Sequence, residues 1–332
     1  MVADKTEINK TFEQSMLLVL SEPEKTFAIG KDIKLKAKML NDELLLAKGH
    51  LLQSFSGFFL GVHEISFEYV NIALPIFIKF DDKKNQAAAY NTLGYIYNYF
   101  EDHESRLEIN LKSLKIRKKI GDTVGYATSL NNTGDTYLSL NKIDKALEYF
   151  SKSLENTPLE NVRQRAITIG NIAETYFKKN DFERSLSQLR LSNKLCEQIK
   201  LHHIIIYNKI LQAKIFNGQK KYRDSIILLN SFVKNVIEIE KSDLAELYLE
   251  LSISYEFIDD HEQSLKAIKK HFNYKEQIAK EKQEKDLKSL KFRKKINQLE
   301  DKTKNLESLV EIRTSELKMA LESEKIISFF SR

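Results

Sequence analysis

The chain has no tryptophan, one cysteine, three prolines and ten glycines among 332 residues. A lone Cys196 cannot close an internal disulfide, so no cross-link supports the fold, as is usual in a reducing compartment. So few turn-formers exclude a many-stranded β protein and suit long helices joined by short connections. No apolar run reaches the roughly 18–20 residues that span a bilayer; FSGFFLGV and IALPIFI are among the longest. The opening MVADKTEINKTFEQSM lacks the basic-then-apolar pattern of a secretory leader. Charge of one sign is not in excess either. Lys and Arg number 53 against 47 Asp and Glu, a net +6, too small a surplus for a dedicated nucleic-acid binder. These absences point to a cytoplasmic chain with no membrane span and no nucleic-acid partner.

Catalytic signatures are missing as well. There is no phosphate-cradling glycine loop, no G-x-G-x-x-G, no C-x-x-C, no H-E-x-x-H and no phospho-accepting histidine motif. His202 and His203 are adjacent, diverge by about 100° on a helix, and are expected at a connection between helices. Cys196 lies among Leu191, Leu195 and Ile199 and is expected in the core. His271 is expected in a structural or exposed place. The expectation is no catalytic residue, no metal and no cofactor in this chain.

What is present is a repeat. SLNNTGDTYLSLNKIDKALEYFSKSLENTP, residues 129–158, sets Gly134 three residues before Tyr137, then Ala146, Phe150 and Pro158. A small residue on one helix lets a second helix approach, and an aromatic one turn on fills the space beside it. Proline stops the second helix. The small position recurs as Ser54, Gly94, Gly134, Ala173, Ala213 and Ser252, in steps of 39 or 40 residues. The aromatic position reads Gly57, Tyr97, Tyr137, Tyr176, Phe216 and Tyr255. The second helix carries Ser66, Arg106, Ala146, Ser185, Ser225 and Ser264, with Val70, Asn110, Phe150, Leu189, Leu229 and Ile268 one turn on. Arg106 and Asn110 depart from this pattern at two positions expected to be buried.

The 129–158 unit resembles the tetratricopeptide repeat (TPR), whose signature is W-x2-L-G-x2-Y, then A-x3-F, then P. Leu130 and Thr133 replace the first Trp and Leu; Gly134, Tyr137, Ala146, Phe150 and Pro158 match. Leu93, Gly94 and Tyr97 match in the preceding copy. The period exceeds the usual 34 residues by about six, similar to kinesin light chains and to bacterial receptors for quorum peptides. The resemblance covers roughly residues 40–275. It implies an all-α fold: a right-handed α-solenoid of helical hairpins with a concave surface. Residues 1–40 are expected to be degenerate capping helices, and residues 41–271 an array of about six long repeats.

The same resemblance implies that first helices line the concave face, where a peptide or protein would bind. Asn91, Tyr95, Asn131, Asn132, Asp135, Asn171 and Glu174 fall at those positions, continued by Phe177, Lys214 and Asn217. Side-chain amides both donate and accept, which suits the backbone of an extended peptide. They can equally pack between neighbouring repeats.

Residues 272–332 contain no glycine or proline and are rich in Lys and Glu, which predicts one long helix. Phe292, Ile296, Leu299, Leu306, Val310, Leu317, Ala320 and Ile327 alternate in steps of three and four, interrupted by Thr303, Arg313 and Glu324. That is a heptad seam and predicts a coiled-coil homodimer. KFRKK, residues 291–295, reads as charge flanking the seam. LVEIRTSEL, residues 309–317, resembles the VEERTxEL linker that precedes histidine kinase, nucleotide cyclase or diguanylate cyclase output domains in bacterial signalling proteins. The expectation is therefore a regulatory module whose coil leads to an output domain beyond Arg332. A constitutive TPR scaffold is the alternative. If residues 296–320 hold the dimer, changing Leu299, Leu306 and Leu317 together to Glu yields a monomer in sedimentation equilibrium. A monomeric unchanged chain would refute the seam.

Overall fold

The computed structural model describes residues 5–235 and 239–284. The chain divides into two compact units, Met1–Ile278 and Ala279–Arg332. The coiled-coil seam and the LVEIRTSEL linker lie outside the described residues.

Every regular element among the described residues is a helix. They run α1 (Lys5–Leu18), α2 (Pro23–Met39), α3 (Glu43–Phe59), α4 (His63–Lys79), α5 (Lys83–Tyr99), α6 (His103–Ile120) and α7 (Thr123–Ser139). There follow α8 (Ile143–Asn156), α9 (Val162–Lys178), α10 (Phe182–Gln198), α11 (His202–Gly218), α12 (Tyr222–Asn235) and α13 (Lys241–Glu256). The last, α14, covers residues 261–284. The first unit is an all-α, TPR-type solenoid of helical hairpins. The six small positions fall on α3, α5, α7, α9, α11 and α13, and their second-helix counterparts on α4, α6, α8, α10, α12 and α14.

The helices are cut to length by a repeated turn. A residue with positive φ follows most of them: Asn41, Gly61, Asp81, Glu101, Gly121, Asn141, Asn180, Lys200, Lys220 and Asp259, with φ between 50° and 73°. The next residue's N–H bonds the carbonyl five residues back, as in Asp42 to Ala37 (2.9 Å), Asp82 to Phe77 (2.9 Å) and Lys142 to Tyr137 (2.8 Å). This is the Schellman closure, which satisfies the last carbonyls of a helix. The side chains of Asp42, Asp82, Asp102, Asp122 and Asp181 then accept from the backbone of the following helix, so one aspartate ends the turn and caps the next helix. Up to Asn141 these turns are spaced by 20 residues, half the repeat. The rhythm breaks at residues 157–161, where α8 stops early before Pro158.

Paired helices cross where side chains are smallest. Gly134 faces Phe150, and a Cβ built there would stand 2.8 Å from Phe150 Cδ1. At several crossings a serine hydroxyl bonds the facing backbone. Ser54 Oγ donates to the Ser66 carbonyl (2.6 Å), Ser66 Oγ to the Ser54 carbonyl (2.5 Å), and Ser185 Oγ to the Ala173 carbonyl (2.7 Å). A second set ties each repeat at its other end. Ser113, Ser153 and Ser192 donate to the carbonyls of Ala87 (3.1 Å), Ala127 (2.8 Å) and Ala166 (2.8 Å), and the His271 ring makes the same bond to Ala245 (2.8 Å). These buried alanines and their partners lie 26 residues apart and recur with the repeat.

The two irregular positions are accommodated. Asn110 is 2% exposed; it packs on Gly94 and donates to the Asn132 carbonyl (3.2 Å) and to Thr136 Oγ1 (3.0 Å). Arg106 is buried and bridges to α7. Cys196 and His271 are buried, while His202 and His203 are exposed in the first turn of α11. Gly134→Val forces the ring of Phe150 aside and is expected to cost about 1–3 kcal/mol, the usual penalty of overpacking, measured as a shift in urea midpoint at constant slope.

Candidate functional site

First helices touch first helices along the array: α1 meets α3, α3 meets α5, α7 meets α9, α9 meets α11 and α11 meets α13. Among α2, α4, α6, α8, α10 and α12, no pair of second helices is in comparable contact. Elements packed closer together lie on the inner side of a curved stack, so first helices form the concave wall of the first unit. The forty-residue register then fixes which side chains reach that wall.

Its first stretch is aromatic. Phe55 on α3 stacks on Tyr95 on α5, with ring centroids 5.9 Å apart and planes 19° apart. Phe58 and Phe59 approach the same tyrosine at 5.7 Å and 6.1 Å. Phe59 is 39% exposed, and Phe55 and Tyr95 are half-buried.

The middle stretch is a chain of amides. Asn132 Nδ2 donates to Asn91 Oδ1 at 2.7 Å, joining α7 to α5. Asn131 Oδ1 accepts from Thr168 Oγ1 (3.0 Å) and Asn171 Nδ2 (3.1 Å), joining α7 to α9. Asn131 is 7% exposed, and its carbonyl is engaged between repeats. Asn91, Asn132 and Asn171 are half-buried, each with amide bonding capacity beyond these contacts.

Asp135 begins the last stretch. It receives Arg106 Nη2 at 2.5 Å while Arg106 Nη1 donates to Asn98 Oδ1 at 2.7 Å. The arginine side chain is 6% exposed and the aspartate 37%. A residue that is alanine in the best copy here reaches through from a second helix to the concave wall. Its Nε, buried, has no partner. Glu174 on α9 lies 3.9 Å from Lys178 and acts electrostatically on Tyr207 of α11. Burial, with the charges of Glu174, Asp135 and Asp243, drives the Tyr207 hydroxyl well above its ordinary range. Burial also raises the carboxyls of Asp243, helped by Glu240 and Glu246, and of Glu250. Lys214 pairs with Glu246 at 2.9 Å, and Asn217 Nδ2 donates to Glu250 Oε2 at 2.8 Å. This end of the groove is rich in carboxylates.

Phe55, Phe59, Tyr207 and Asp243 were missed in the sequence, although the register contains the signal for Phe55, which occupies the position of Tyr95 one repeat earlier and of Asp135 two repeats earlier. A separate cleft of about 750 Å³ lies where α8 ends early, lined by Leu154, Pro158 and Arg165 among others. Arg165 Nη1 donates there to the carbonyls of Leu154 (3.2 Å) and Thr157 (3.0 Å), bonds that hold the irregular connection together. Among the described residues no group of three or more His, Cys, Asp or Glu could hold a metal ion, and no helix is long and apolar enough to cross a membrane.

The stretch that opens with Ala127 and closes at Pro158 matches the tetratricopeptide repeat family over residues 127–158. These residues form a TPR. The array as a whole is similar in fold to the apo form of RapI, with a TM-score of 0.61 at 18% identity, covering 82% of this chain and 99% of that one. It is similar to a signal-transduction ATPase with a TPR sensor from Pyrococcus horikoshii, with a TM-score of 0.63 at 15% identity, covering 83% of this chain and 44% of that one. A Rap conjugation gene regulator in complex with a Phr peptide gives 0.59 at 16% identity, covering 82% and 76%. At such identities the likeness is one of fold. Human G-protein-signaling modulator 1 is 35% identical over 66 residues, which is 20% of this chain and a tenth of that protein's length.

The Arg106–Asp135 bridge gives a direct test. Asp135→Ala strands a buried guanidinium and is expected to cost about 1.5–3 kcal/mol, the range for hydrogen bonds to charged groups. The Arg106→Ala, Asp135→Ala double variant loses less than the sum of the two single variants, a coupling of about 0.5–3 kcal/mol in urea denaturation.

Proposed function

We propose that the TPR array is the ligand-binding part of a cytoplasmic regulatory protein, and that a peptide or protein lies along the concave face of its first helices. The observation that carries this reading is the row of half-buried amides, Asn91, Asn132 and Asn171, presented by three successive first helices. They repeat on a spacing that an extended backbone can follow, and each keeps spare donor or acceptor capacity. The likeness to a Rap regulator solved with a Phr peptide supports peptide recognition by such an array, and the likeness to an ATPase with a TPR sensor supports a regulatory role.

In this reading ligand binding selects one pitch of the array over another, which requires different affinities for the two states. Residues 272–332 carry the difference as a dimeric coiled coil through Ile296, Leu299, Leu306, Val310, Leu317 and Ala320 to an output domain of the histidine kinase or nucleotide cyclase kind. A constitutive scaffold would bind without changing the tail.

Selection of binders to the full chain from a random peptide library tests the site. Binders are expected to weaken at least about tenfold against the Asn91→Ala, Asn132→Ala, Asn171→Ala triple variant. Undiminished affinity would move the site off the concave face. Hydrogen exchange with a selected peptide is expected to change protection beyond residue 284, and protection changes confined to the array would favour the scaffold.

A further inference from the structure

The two ends of the concave wall differ in chemistry, and the difference specifies an occupant. At one end Phe55, Phe59 and Tyr95 form a stacked, part-exposed apolar face. Single exposed aromatics are ordinary on a surface, but a cluster of rings inside a groove is the usual anchor for a partner's side chain. At the other end Tyr207, 40% exposed on α11, lies between α9 and α13, the helices that carry Glu174 and Asp243. Asp135 is neutralised by Arg106, and Glu246 by Lys214 and Lys275. For Glu174 the cation in reach is Lys178, at 3.9 Å, and for Asp243 the neighbouring charges are Glu240 and Glu246. The surplus is negative, and it surrounds an aromatic ring face, the arrangement that favours a cation.

Resting on the concave-face reading above, we propose that the ligand is an extended peptide. An aromatic or large aliphatic residue of it packs on Phe55, Phe59 and Tyr95, and a Lys or Arg reaches Glu174 and Asp243 over the Tyr207 ring. Helices in contact lie about 8–10 Å apart, and α5 and α7 are joined through the Asn132–Asn91 side-chain bond, so Tyr95 on α5 and Glu174 on α9 are separated by at least about 20 Å. An extended chain at about 3.3 Å per residue crosses that distance in about six residues. The amides of Asn132 and Asn171 lie under the path between.

Fluorescence polarisation with the full chain tests this with three sets of labelled synthetic peptides. One set fixes Phe and Arg about six residues apart, one fixes Phe and Glu, and one places Ser at both sites; the other positions are random. The Phe/Arg set is expected to bind at least about tenfold tighter than the Phe/Glu set. That margin should collapse in Glu174→Gln, Asp243→Asn, and overall affinity should fall in Phe59→Ala. All three positions are part-exposed, and matching thermal melts would show the variants folded. Equal binding of the Phe/Arg and Phe/Glu sets, lost in the Asn91, Asn132, Asn171 triple variant, would overturn this ligand chemistry and leave the concave site standing. Binding by no set, or binding indifferent to every groove variant, would overturn both.

Discussion

The array depends on how closely two helices can approach at one residue. At Ser54, Gly94, Gly134, Ala173, Ala213 and Ser252 the first helix presents nothing larger than a hydroxymethyl group to its partner, and Phe150 and Asn110 pack directly on two of the glycines. At Ser54, Ser66, Ser185 and Ser264 the hydroxyl bonds the opposite carbonyl, so the approach is held there by hydrogen bonds as well as by packing. That crossing sets the tilt of each hairpin, and the tilt repeated every 39 or 40 residues decides which side of a first helix faces inward. The groove side chains lie two or three residues before the crossing and one residue after it. They are where they are because the crossing is where it is.

Polar contacts between repeats then do two jobs at once. The bonds from Asn132 to Asn91 and from Asn171 to Asn131 join successive first helices, and the same side chains floor the groove. Arg106 extends the theme. At a position that packs as alanine in the best repeat, a guanidinium crosses the hairpin and holds Asp135 from below. A change in spacing between first helices would stretch these bonds first, which couples occupancy of the groove to the geometry of the stack.

Much of the fold was legible because size leaves a clear trace in sequence. Gly134, Tyr137, Ala146 and Phe150 announce a hairpin, and their echoes at forty-residue steps announce an array. The finer ties were less visible. The pairing of Ala87 with Ser113 and of Ala127 with Ser153 uses a backbone carbonyl as acceptor, so its alanine end shows no polar letter. The turns at Asn41, Gly61, Asp81, Glu101 and Lys200 share a backbone conformation but no residue type. Arg106 read as a departure because its partner, Asp135, is 29 residues away on another helix. Of the groove, Asn91, Tyr95, Asn131, Asn132, Asp135, Asn171 and Glu174 follow from the register, whereas Tyr207 and Asp243 lie away from those positions and Phe55 belongs to the copy with Gly57 at its aromatic position. The heptad seam lies outside the described residues, so periodicity is its support.

The regular turn has a consequence for how such a chain can change over generations. Because each turn rebuilds the same exit direction, a forty-residue segment inserted or deleted between two regular turns leaves every other junction as it was. The groove can therefore lengthen or shorten in whole repeats while its cross-section stays constant. The break at residues 157–161 is where that modularity is interrupted. A segment spliced across it inherits a different exit direction, so this connection divides the array into blocks that exchange in phase only on their own side.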